Sequence, residues 1–433
     1  MLILNSGVCE WKGCFFCGYG KIACDVKPAD SLKGIFDNFF RELDAKAVKV
    51  FCSGSFFDDR QFSRDARLYV ASNCRRSKLD DVIVESRPEY LTKENLSNFK
   101  GVNLTVAIGL ETSDDTLLKK INKGFTREDY ERAAEKVHKH GFKLRTYLLV
   151  NLPFQKDWKK KLKESVDYAL RRSDSIVLIN LLPHADAELF SMWVDGEWNY
   201  LTRDEFYEVT SQWKDSQKIE FDAETFNFIP RFPKRLRQSL KGVGEEYLLH
   251  PHFEVWQDYL ARWYRPPEGR SLLLLPCSYK KPYSQSETHR NIIGVLEETG
   301  TRNRFHEVML SNAGVIPREF EDYYPFNSYD WDERLETDEI KERYVEVTSE
   351  RIEKYLKAHA KSYDGILCYL KYGSDSYKAL ENAAGRLKAD FRNLLDEETY
   401  ARITAEKQPL KSKEALNDFR SNIRLWSQRD STS

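Results

Sequence analysis

The sequence predicts an α/β protein with an N-terminal partial barrel and a C-terminal α/β domain whose short sheet is mainly parallel. Up to residue 183, short β-rich runs alternate with longer amphipathic, charged segments, a pattern typical of βα units. Pro266, Pro267 and Gly269 then stop regular structure, and a second strand–helix pattern follows. We therefore expect a barrel over 1–198, a helical, basic bridging region over 199–269 and a second domain over 270–433.

The N-terminal elements follow from runs of aliphatic residues separated by helical periodicity. Strands are predicted at 2–4, 49–52, 82–85, 104–110, 144–150 and 176–182, with helices at 29–43, 126–140 and 157–171. Six βα units are too few for an eight-unit barrel but suit an open, partial (βα)6 barrel. In such folds the chemistry belongs at the C-terminal ends of the strands.

The C-terminal domain is predicted from fewer elements. Strands are expected at 271–275, 306–310 and 365–370, with a long charged helix at 337–358.

Composition limits the classes of protein that fit. The 433 residues include 68 Lys and Arg against 69 Asp and Glu, a net charge of -1, so any nucleic-acid contact must be a local basic patch. Neither a signal peptide nor a membrane span is visible. Because three of the eight cysteines crowd one short stretch, a secreted disulfide framework is excluded, and we expect a reducing, cytoplasmic location.

Cys9, Cys14 and Cys17 lie on the loop after the first predicted strand. Thiolates on one short loop can bind three irons of a [4Fe–4S] cluster and leave the fourth iron without a protein ligand. Zinc is the alternative, because Cys24 would complete a four-thiolate site. The other cysteines, with Cys24 if it binds no metal, are expected to be buried apolar residues; they are Cys52, Cys74 and Cys368.

This loop resembles the radical S-adenosylmethionine superfamily, although four residues separate the first two cysteines where the family usually has three. After the second predicted strand, Cys52-Ser53-Gly54-Ser55 resembles the superfamily's glycine-rich loop. Three later segments resemble its Elp3-like branch; they are Glu85-Ser86-Arg87-Pro88, Gly109-Leu110-Glu111-Thr112 and Ile121-Asn122-Lys123-Gly124. Gly18-Tyr19 after the cysteines resembles the radical enzymes of archaeosine biosynthesis. Each match alone has a structural alternative, such as a tight turn at Gly54 or a surface pair between Arg87 and Glu85.

The resemblance implies a radical-SAM barrel that uses a [4Fe–4S] cluster, S-adenosyl-L-methionine and a reductant protein such as a ferredoxin or flavodoxin. The cluster would be held by Cys9, Cys14 and Cys17. The expected S-adenosylmethionine contacts are Ser53, Gly54, Glu85, Arg87 and Glu111.

A second polar motif follows the strand predicted at 271–275. It places a thiol, hydroxyls, an amine and an imidazole on one loop, at Cys277, Ser278, Lys281, Tyr283, Ser286 and His289. The alternative is a polar loop in which Ser284 or Ser286 caps a helix. The string resembles the signature of the archaeosine synthase core domain, with Thr288 in place of a serine.

Together the resemblances imply a fusion of two consecutive tRNA-modifying activities. The C-terminal domain would add free lysine to the nitrile of 7-cyano-7-deazaguanine in tRNA, and the radical domain would break a C–N bond of the adduct to give archaeosine. For the addition, two alternatives remain open. Either Cys277 forms a thioimidate with Lys281 or His289 as acid or base, or lysine attacks directly.

RNA contact is predicted for a basic stretch near Phe226, Phe228 and Phe232. Its basic residues are Arg231, Lys234, Arg235, Arg237 and Lys241, a composition that suits phosphate contact and base stacking. A solvated helix face is the alternative. Two other functions also remain: a radical enzyme acting on another nucleobase or small molecule, and a non-catalytic, metal-bound RNA-binding adaptor.

Overall fold

A computed structural model describes residues 1–22 and 24–429, which form two compact units. The first runs from Met1 to Phe228, and the second begins at Ile229. The predicted bridging region is divided between them: residues 199–228 lie in the first unit and residues 229–269 in the second. No helix within the described ranges is long and apolar enough to cross a membrane.

The first unit contains a curled sheet of seven parallel strands whose spatial order equals their chain order. The strands are β1 (Leu2–Leu4), β2 (Ala47–Cys52), β3 (Asp81–Glu85), β4 (Leu104–Glu111), β5 (Lys143–Val150), β6 (Ser175–Asn180) and β7 (Ile219–Asp222). The helices are α1 (Ala29–Arg41), α2 (Arg64–Ser77), α3 (Lys93–Ser97), α4 (Asp115–Lys120), α5 (Arg127–Lys139), α6 (Trp158–Leu170), α7 (Glu188–Val194) and α8 (Arg203–Thr210). The predicted α/β half-barrel is confirmed.

One strand of this seven-stranded sheet was missed by the sequence prediction. β7 has four residues, two of them acidic, and lies where the apolar periodicity is weak. Its backbone pairs with β6, and this pairing extends the predicted six strands to seven.

Side-chain caps set the start of several helices in this unit. Ser63, Thr92 and Asp114 accept backbone N–H groups at the first turns of α2, α3 and α4. Thr126 and Thr202 form reciprocal capping boxes with the third residues of α5 and α8. These caps satisfy N–H groups that have no partner within the helix.

The two faces of the sheet differ in polarity because strand side chains alternate. On the outer face, Val84, Val106 and Leu148 are fully buried, and the Thr146 and Tyr130 hydroxyls, 2.6 Å apart, connect β5 to α5. The strand register places a second set of side chains on the opposite, inner face, and it consists of Lys49, Glu85, Arg145, Tyr147, Glu220 and Asp222.

The second unit contains a five-stranded sheet in the order β11-β10-β9-β13-β14, parallel except for β11, as predicted. Its strands are β9 (Arg270–Pro276), β10 (Phe305–Ser311), β11 (Gly314–Pro317), β13 (Tyr363–Cys368) and β14 (Arg392–Asn393), and a separate pair joins β8 (Leu240–Lys241) to β12 (Tyr329–Asp330). The helices are α9 (Glu245–Leu248), α10 (Pro251–Arg262), α11 (Glu287–Glu298), α12 (Asp338–His359), α13 (Asp375–Leu387), α14 (Glu397–Ile403) and α15 (Lys413–Arg429).

The topology of this sheet places the Cys277 loop at a switch point. From β9 the chain moves to β10 on one side, and β13 pairs on the other side. In open α/β sheets, ligands bind at the carboxyl ends of the strands where the order reverses in this way. The loop that follows Pro276, the last residue of β9, lies at such a position.

Candidate functional sites

The first candidate site is the loop that carries Cys9, Cys14 and Cys17. All three thiols are half-buried. The Cys17 N–H donates to the Cys14 carbonyl at 3.2 Å, and the Phe15 N–H donates to the Ile121 carbonyl at 2.9 Å. These bonds hold the loop against the segment that follows α4.

Burial disfavours free thiolates on this loop. It raises the pKa of Cys14 and Cys17, and the nearby Lys123 ammonium opposes that effect at both thiols. A bound cation or cluster would supply the positive charge that stabilises thiolates here.

The donor set on this loop fits a [4Fe–4S] cluster. Across residues 1–22 and 24–429, no group of three or more His, Cys, Asp or Glu side chains is placed to hold a single metal ion. A [4Fe–4S] cluster needs no such convergence, because each thiolate binds a different iron. Three loop thiols without a fourth ligand match that requirement.

Two glycines let other segments approach this loop closely. A Cβ at Gly18 would lie 1.8 Å from His184 Nδ1, and one at Gly54 would lie 2.8 Å from the Cys9 Cα. A side chain at either position would therefore displace its neighbour. Ser53 Oγ fixes the same region by donating to the Gly7 carbonyl at 3.0 Å.

Gln61 organises the loop after β2 and was not identified from the sequence. Its side chain is fully buried, its amide oxygen accepts from the Ser55 N–H, and its amide nitrogen lies 3.5 Å from Ser53 Oγ. A single glutamine between Arg60 and Phe62 gives no pattern from which this role is predictable.

Arg87 does not form the predicted alternative surface pair with Glu85. It is buried, donates from Nη1 to the Lys123 carbonyl at 3.0 Å and pairs with Glu89. Its guanidinium lies 5.4 Å from the Trp11 ring centroid and 5.3 Å from that of Phe125. Arg87 therefore links the loops after β1, β3 and α4.

Glu85 faces the interior of the half-barrel. Burial raises its pKa to about 7, and a hydrogen bond from Tyr147 opposes the shift. At neutral pH this carboxyl is therefore close to half protonated. Glu111, in turn, has a positive φ of 68° and forms a buried ion pair with Lys123.

The first unit thus brings most of the predicted residues to one edge of the sheet. Lys123 and Arg87 both act electrostatically on Cys14, as does Glu111. Lys123 lies in the segment Ile121-Asn122-Lys123-Gly124, and the sequence predicted no role for it. Its burial and charge place it among the functional candidates.

The second candidate site is formed around Cys277 and Lys281. Burial raises the pKa of the half-buried Cys277 thiol to about 11, with the neighbouring Glu333 carboxylate adding to the rise and the Lys281 ammonium opposing it. Burial also lowers the pKa of Lys281. This environment favours a neutral thiol beside an amine whose proton is held less firmly.

Two tyrosines form one side of the Cys277 site. Lys281 Nζ lies 3.8 Å from the Tyr329 ring centroid, and the Tyr329 hydroxyl lies 2.7 Å from the Tyr283 hydroxyl. Tyr283 was predicted as a site residue, whereas Tyr329 was not. Tyr344 also acts electrostatically with Cys277.

Three of the predicted residues make local structural contacts. Ser286 caps α11 by accepting the His289 N–H, as in the helix-cap alternative. His289 Nε2 lies 2.9 Å from the Pro276 carbonyl, and Arg318 Nη2 lies 2.9 Å from His289 Nδ1. Ser278 Oγ donates to the Lys280 carbonyl.

His289 is poorly suited to carry a proton. Burial, reinforced by the Arg318 guanidinium, lowers its pKa to about 3. Both ring nitrogens are occupied and the side chain is fully buried. The geometry favours a positioning role, in which His289 fixes the end of β9 before Cys277.

The predicted basic stretch is exposed, but its aromatic partners are not. Arg231 and Arg237 lie over the rings of Tyr323 and Tyr324, at 5.8 and 5.7 Å. Every predicted basic residue is exposed; they are Arg231, Lys234, Arg235, Arg237 and Lys241. Phe228 and Phe232 are buried, so the prediction that they stack on bases is wrong: they pack in the cores instead.

The remaining cysteines divide into two pairs. Cys74 and Cys368 are buried as predicted, whereas Cys24 and Cys52 are only half-buried, so the prediction is wrong for those two. Cys24 lies in a loop, and Cys52 Sγ lies 3.7 Å from Gln61 Oε1 at the end of β2.

Comparison with family models identifies one domain family in each unit. Residues 6–166 match the radical SAM superfamily, and residues 253–420 match a domain of unknown function, DUF5591. The chain therefore carries a radical SAM domain and a DUF5591 domain, and the predicted radical SAM membership is confirmed. The predicted [4Fe–4S] cluster and S-adenosylmethionine, the cofactors of that superfamily, are confirmed with it.

Individual relatives match parts of the chain. Archaeosine synthase subunit beta of Methanosarcina acetivorans is 32% identical over 213 residues, covering 46% of this chain and 61% of that protein. Archaeosine synthase subunit alpha of Thermoplasma acidophilum is 40% identical over 101 residues, covering 23% and 19%. Methanocaldococcus infernus Elp3, a solved structure, is 15% identical with a TM-score of 0.36, covering 46% and 53%. The chain thus spans less than two thirds of either curated relative.

Proposed function

We propose that this chain is a tRNA-modifying enzyme of archaeosine biosynthesis that carries out two consecutive steps. The second unit adds lysine to the nitrile of 7-cyano-7-deazaguanine in tRNA, and the first breaks the C–N bond of the adduct to leave archaeosine. One observation carries the proposal: a radical SAM domain and a DUF5591 domain occur in one polypeptide with relatives named as alpha and beta subunits of archaeosine synthase.

The second unit performs the addition through the Cys277 site. The ε-nitrogen of lysine adds to the nitrile carbon, the nitrile nitrogen gains a proton, and the product is an amidine with no leaving group. If Cys277 adds first, its thiol must lose a proton. The neighbouring Lys281 amine, whose pKa burial lowers, is the base that accepts it. The resulting thioimidate then exchanges the thiol for lysine.

The structure supports Lys281 over His289 as the proton carrier. Lys281 is desolvated and stands beside Cys277, whereas His289 has both ring nitrogens occupied. The Tyr283–Tyr329 hydroxyl pair lies under Lys281 and can donate to the nitrile nitrogen as charge develops there.

In the first unit, Cys9, Cys14 and Cys17 would hold the cluster, and S-adenosylmethionine would lie against the Gly54 loop and the Glu85, Arg87 and Glu111 segments. When bound, this cofactor pair supplies the hydrogen-abstracting radical of the superfamily. The chain's own residues position the loops: Lys123 holds Glu111, and Arg87 ties three loops together. A ferredoxin or flavodoxin would supply electrons.

When both domains belong to one chain, the adduct made by the second unit is released at a high effective concentration of the first unit. Such linkage is useful when one domain's product is the other's substrate. Joining the domains therefore fits consecutive reactions on one tRNA.

The test is anaerobic reconstitution with iron, sulfide, a reductant, S-adenosylmethionine, lysine and tRNA carrying the nitrile base, followed by nucleoside mass spectrometry. Lysine labelled with 15N at the ε position should give archaeosine one mass unit heavier, because the broken bond lies on the carbon side of that nitrogen. A reaction without lysine is the matched control. If the complete reaction yields neither the adduct nor archaeosine, the proposal is refuted. Cleavage of S-adenosylmethionine without tRNA product would indicate a different substrate.

A further inference from the structure

The inner face of the half-barrel carries charged side chains to which the proposed function gives no role, in addition to Glu85, an expected S-adenosylmethionine contact. Its side chains are defined here as the inner-face charge cluster: Lys49, Glu85, Tyr147 and Asp222. They come from β2, β3, β5 and β7, and each is half-buried. The opposite face of the same strands is apolar and sealed by helices, so the inner face is the one open to a ligand.

These side chains form one electrostatic group. Lys49 acts on both the Glu85 and the Asp222 carboxyl, and Tyr19 acts with the same two acids. Tyr19 lies two residues after Cys17, so the cluster borders the cysteine loop. A ligand held there would lie next to the radical chemistry.

The internal pairing of the inner face leaves one cation and one anion for a ligand. Arg145 is paired with Glu220, and Glu85 accepts from Tyr147. Asp222 accepts local bonds on its own turn, among them the Glu224 N–H at 3.2 Å. No carboxylate lies within ion-pair distance of Lys49 among the residues that the structure describes.

Leaving opposite charges partly desolvated without a direct partner costs stability. A ligand that carries both charges offsets that cost, whereas a neutral purine-like base does not. Burial raises the pKa of both acids, and the Lys49 ammonium opposes the rise at each of them. The ligand chemistry that fits is a zwitterion, with an ammonium and a carboxylate attached to the same carbon.

We propose that the inner-face charge cluster recognises the free amino-acid end of the substrate, with Lys49 binding its α-carboxylate and Asp222 its α-ammonium. This inference rests on the proposed function: lysine attached through its ε-nitrogen keeps both α-groups at its far end. The cluster thereby selects a lysine adduct over adducts of other amines. Lys49 and Asp222 are specificity residues for the bond-breaking step.

The experiment compares equilibrium binding of three tRNAs to the full chain by filter assay. Their nitrile-derived base carries lysine, cadaverine, which lacks the carboxylate, or 6-aminohexanoate, which lacks the α-ammonium. For each protein variant, the affinity for the lysine adduct is divided by the affinity for each analogue. In these ratios, the contributions of contacts that all three tRNAs share cancel. Wild type should bind the lysine adduct about tenfold more tightly than either analogue, as expected for loss of one charge-assisted contact.

Two variants should remove these preferences separately. Lys49→Met should bring the lysine-to-cadaverine ratio to about one and keep the lysine-to-aminohexanoate ratio. Asp222→Asn should do the reverse. Lys143→Met is the matched control: it lies on the same face at the exposed start of β5 and should keep both ratios.

Equal binding of all three adducts by wild type would overturn the inference, as would variants that weaken the three adducts alike. Archaeosine formation by the same wild-type sample separates the two proposals. If archaeosine forms while the ratios are one, the zwitterion site is wrong and the proposed function stands. If the ratios behave as expected and no archaeosine forms, the site stands and the proposed bond cleavage is wrong.

Discussion

The Lys123 ammonium lies 2.6 Å from the Glu111 carboxylate, and each side chain is less than a tenth exposed. Glu111 holds a positive φ at the end of β4, and Lys123 belongs to the loop after α4. The pair therefore fixes the β4 end against the segment that supports the cysteine loop. Breaking it leaves a buried charge without compensation.

We expect Lys123→Met to lower the free energy of unfolding of the first unit by about 3–5 kcal/mol, because the Glu111 carboxylate loses its partner. Urea unfolding followed by tryptophan fluorescence measures the change. Lys119→Met, on the exposed side of α4, is the control and should change it by less than about 0.5 kcal/mol. Lys123→Met combined with Glu111→Gln should recover part of the loss. A Lys123→Met change below about 1 kcal/mol would contradict a structural ion pair.

Removing one cysteine in each unit should separate the two proposed steps. Cys14→Ala should leave tRNA at the lysine adduct, because the cluster loses one of its three thiolates while the second unit is intact. Cys277→Ala should prevent formation of the adduct if the thioimidate route operates, and should leave a reduced rate if lysine attacks directly. Nucleoside mass spectrometry of each reaction distinguishes these products.

A complementation assay supplies the control for this pair. Synthetic tRNA that already carries the adduct should be converted to archaeosine by Cys277→Ala but not by Cys14→Ala. Loss of the adduct in the Cys14→Ala reaction would argue against separable sites.

Alkylation of Cys277 should be slow at neutral pH and increase steeply with pH. Only the thiolate reacts, and with a pKa of about 11 about one thiol in ten thousand is ionised at pH 7. The rate should therefore rise about tenfold per pH unit up to that value. Peptide mass spectrometry after timed iodoacetamide exposure measures it for this cysteine alone.

Lys281→Met should slow the same alkylation, because the Lys281 ammonium lowers the pKa of the thiol and its loss lets the pKa rise further. Lys280→Met, an exposed neighbour on the loop, is the matched control. If both lysine variants alkylate at the wild-type rate, Lys281 does not act on Cys277 electrostatically.

The sequence predicted the parts of the fold that depend on local pattern. Long aliphatic runs such as β5 and β9 were located to within one or two residues. β7 and β14 were missed because they are short, and their pairing depends on neighbouring strands rather than on their own composition.

The site residues, like the strands, were predicted where they depend on local sequence and missed where they depend on distant partners. Spacing identified the three cysteines and the Cys277 loop, since these residues are neighbours in sequence. Gln61, Lys123 and Tyr329 were missed because their partners lie on other loops. The inner-face charge cluster is also invisible to local pattern, because strand register alone brings Lys49 and Asp222 to one face.

Substitutions in the basic stretch should weaken tRNA binding by reducing phosphate contacts. For Lys234→Ala and Arg235→Ala together, the slope of log K against log salt should become shallower by about 2, one for each contact. Filter binding between 50 and 300 mM salt measures the slope. Lys160→Ala with Lys163→Ala, exposed on α6, should leave it unchanged. Equal slopes for both pairs would assign the basic stretch to ordinary solvated surface.

The carboxyl of Glu85 makes stability of the first unit depend on pH. Its pKa is about 7 in the folded chain against an ordinary 4.5, so the folded state binds more protons than the unfolded state between these values. Stability should therefore fall as pH rises from 4.5 to 7, by up to about 3 kcal/mol. Glu85→Gln removes the titrating group. The free energy of unfolding of this variant should therefore fall less over this pH window than that of the wild type. Parallel pH profiles for the variant and wild type in urea titrations would show that Glu85 is solvated like an ordinary surface carboxylate.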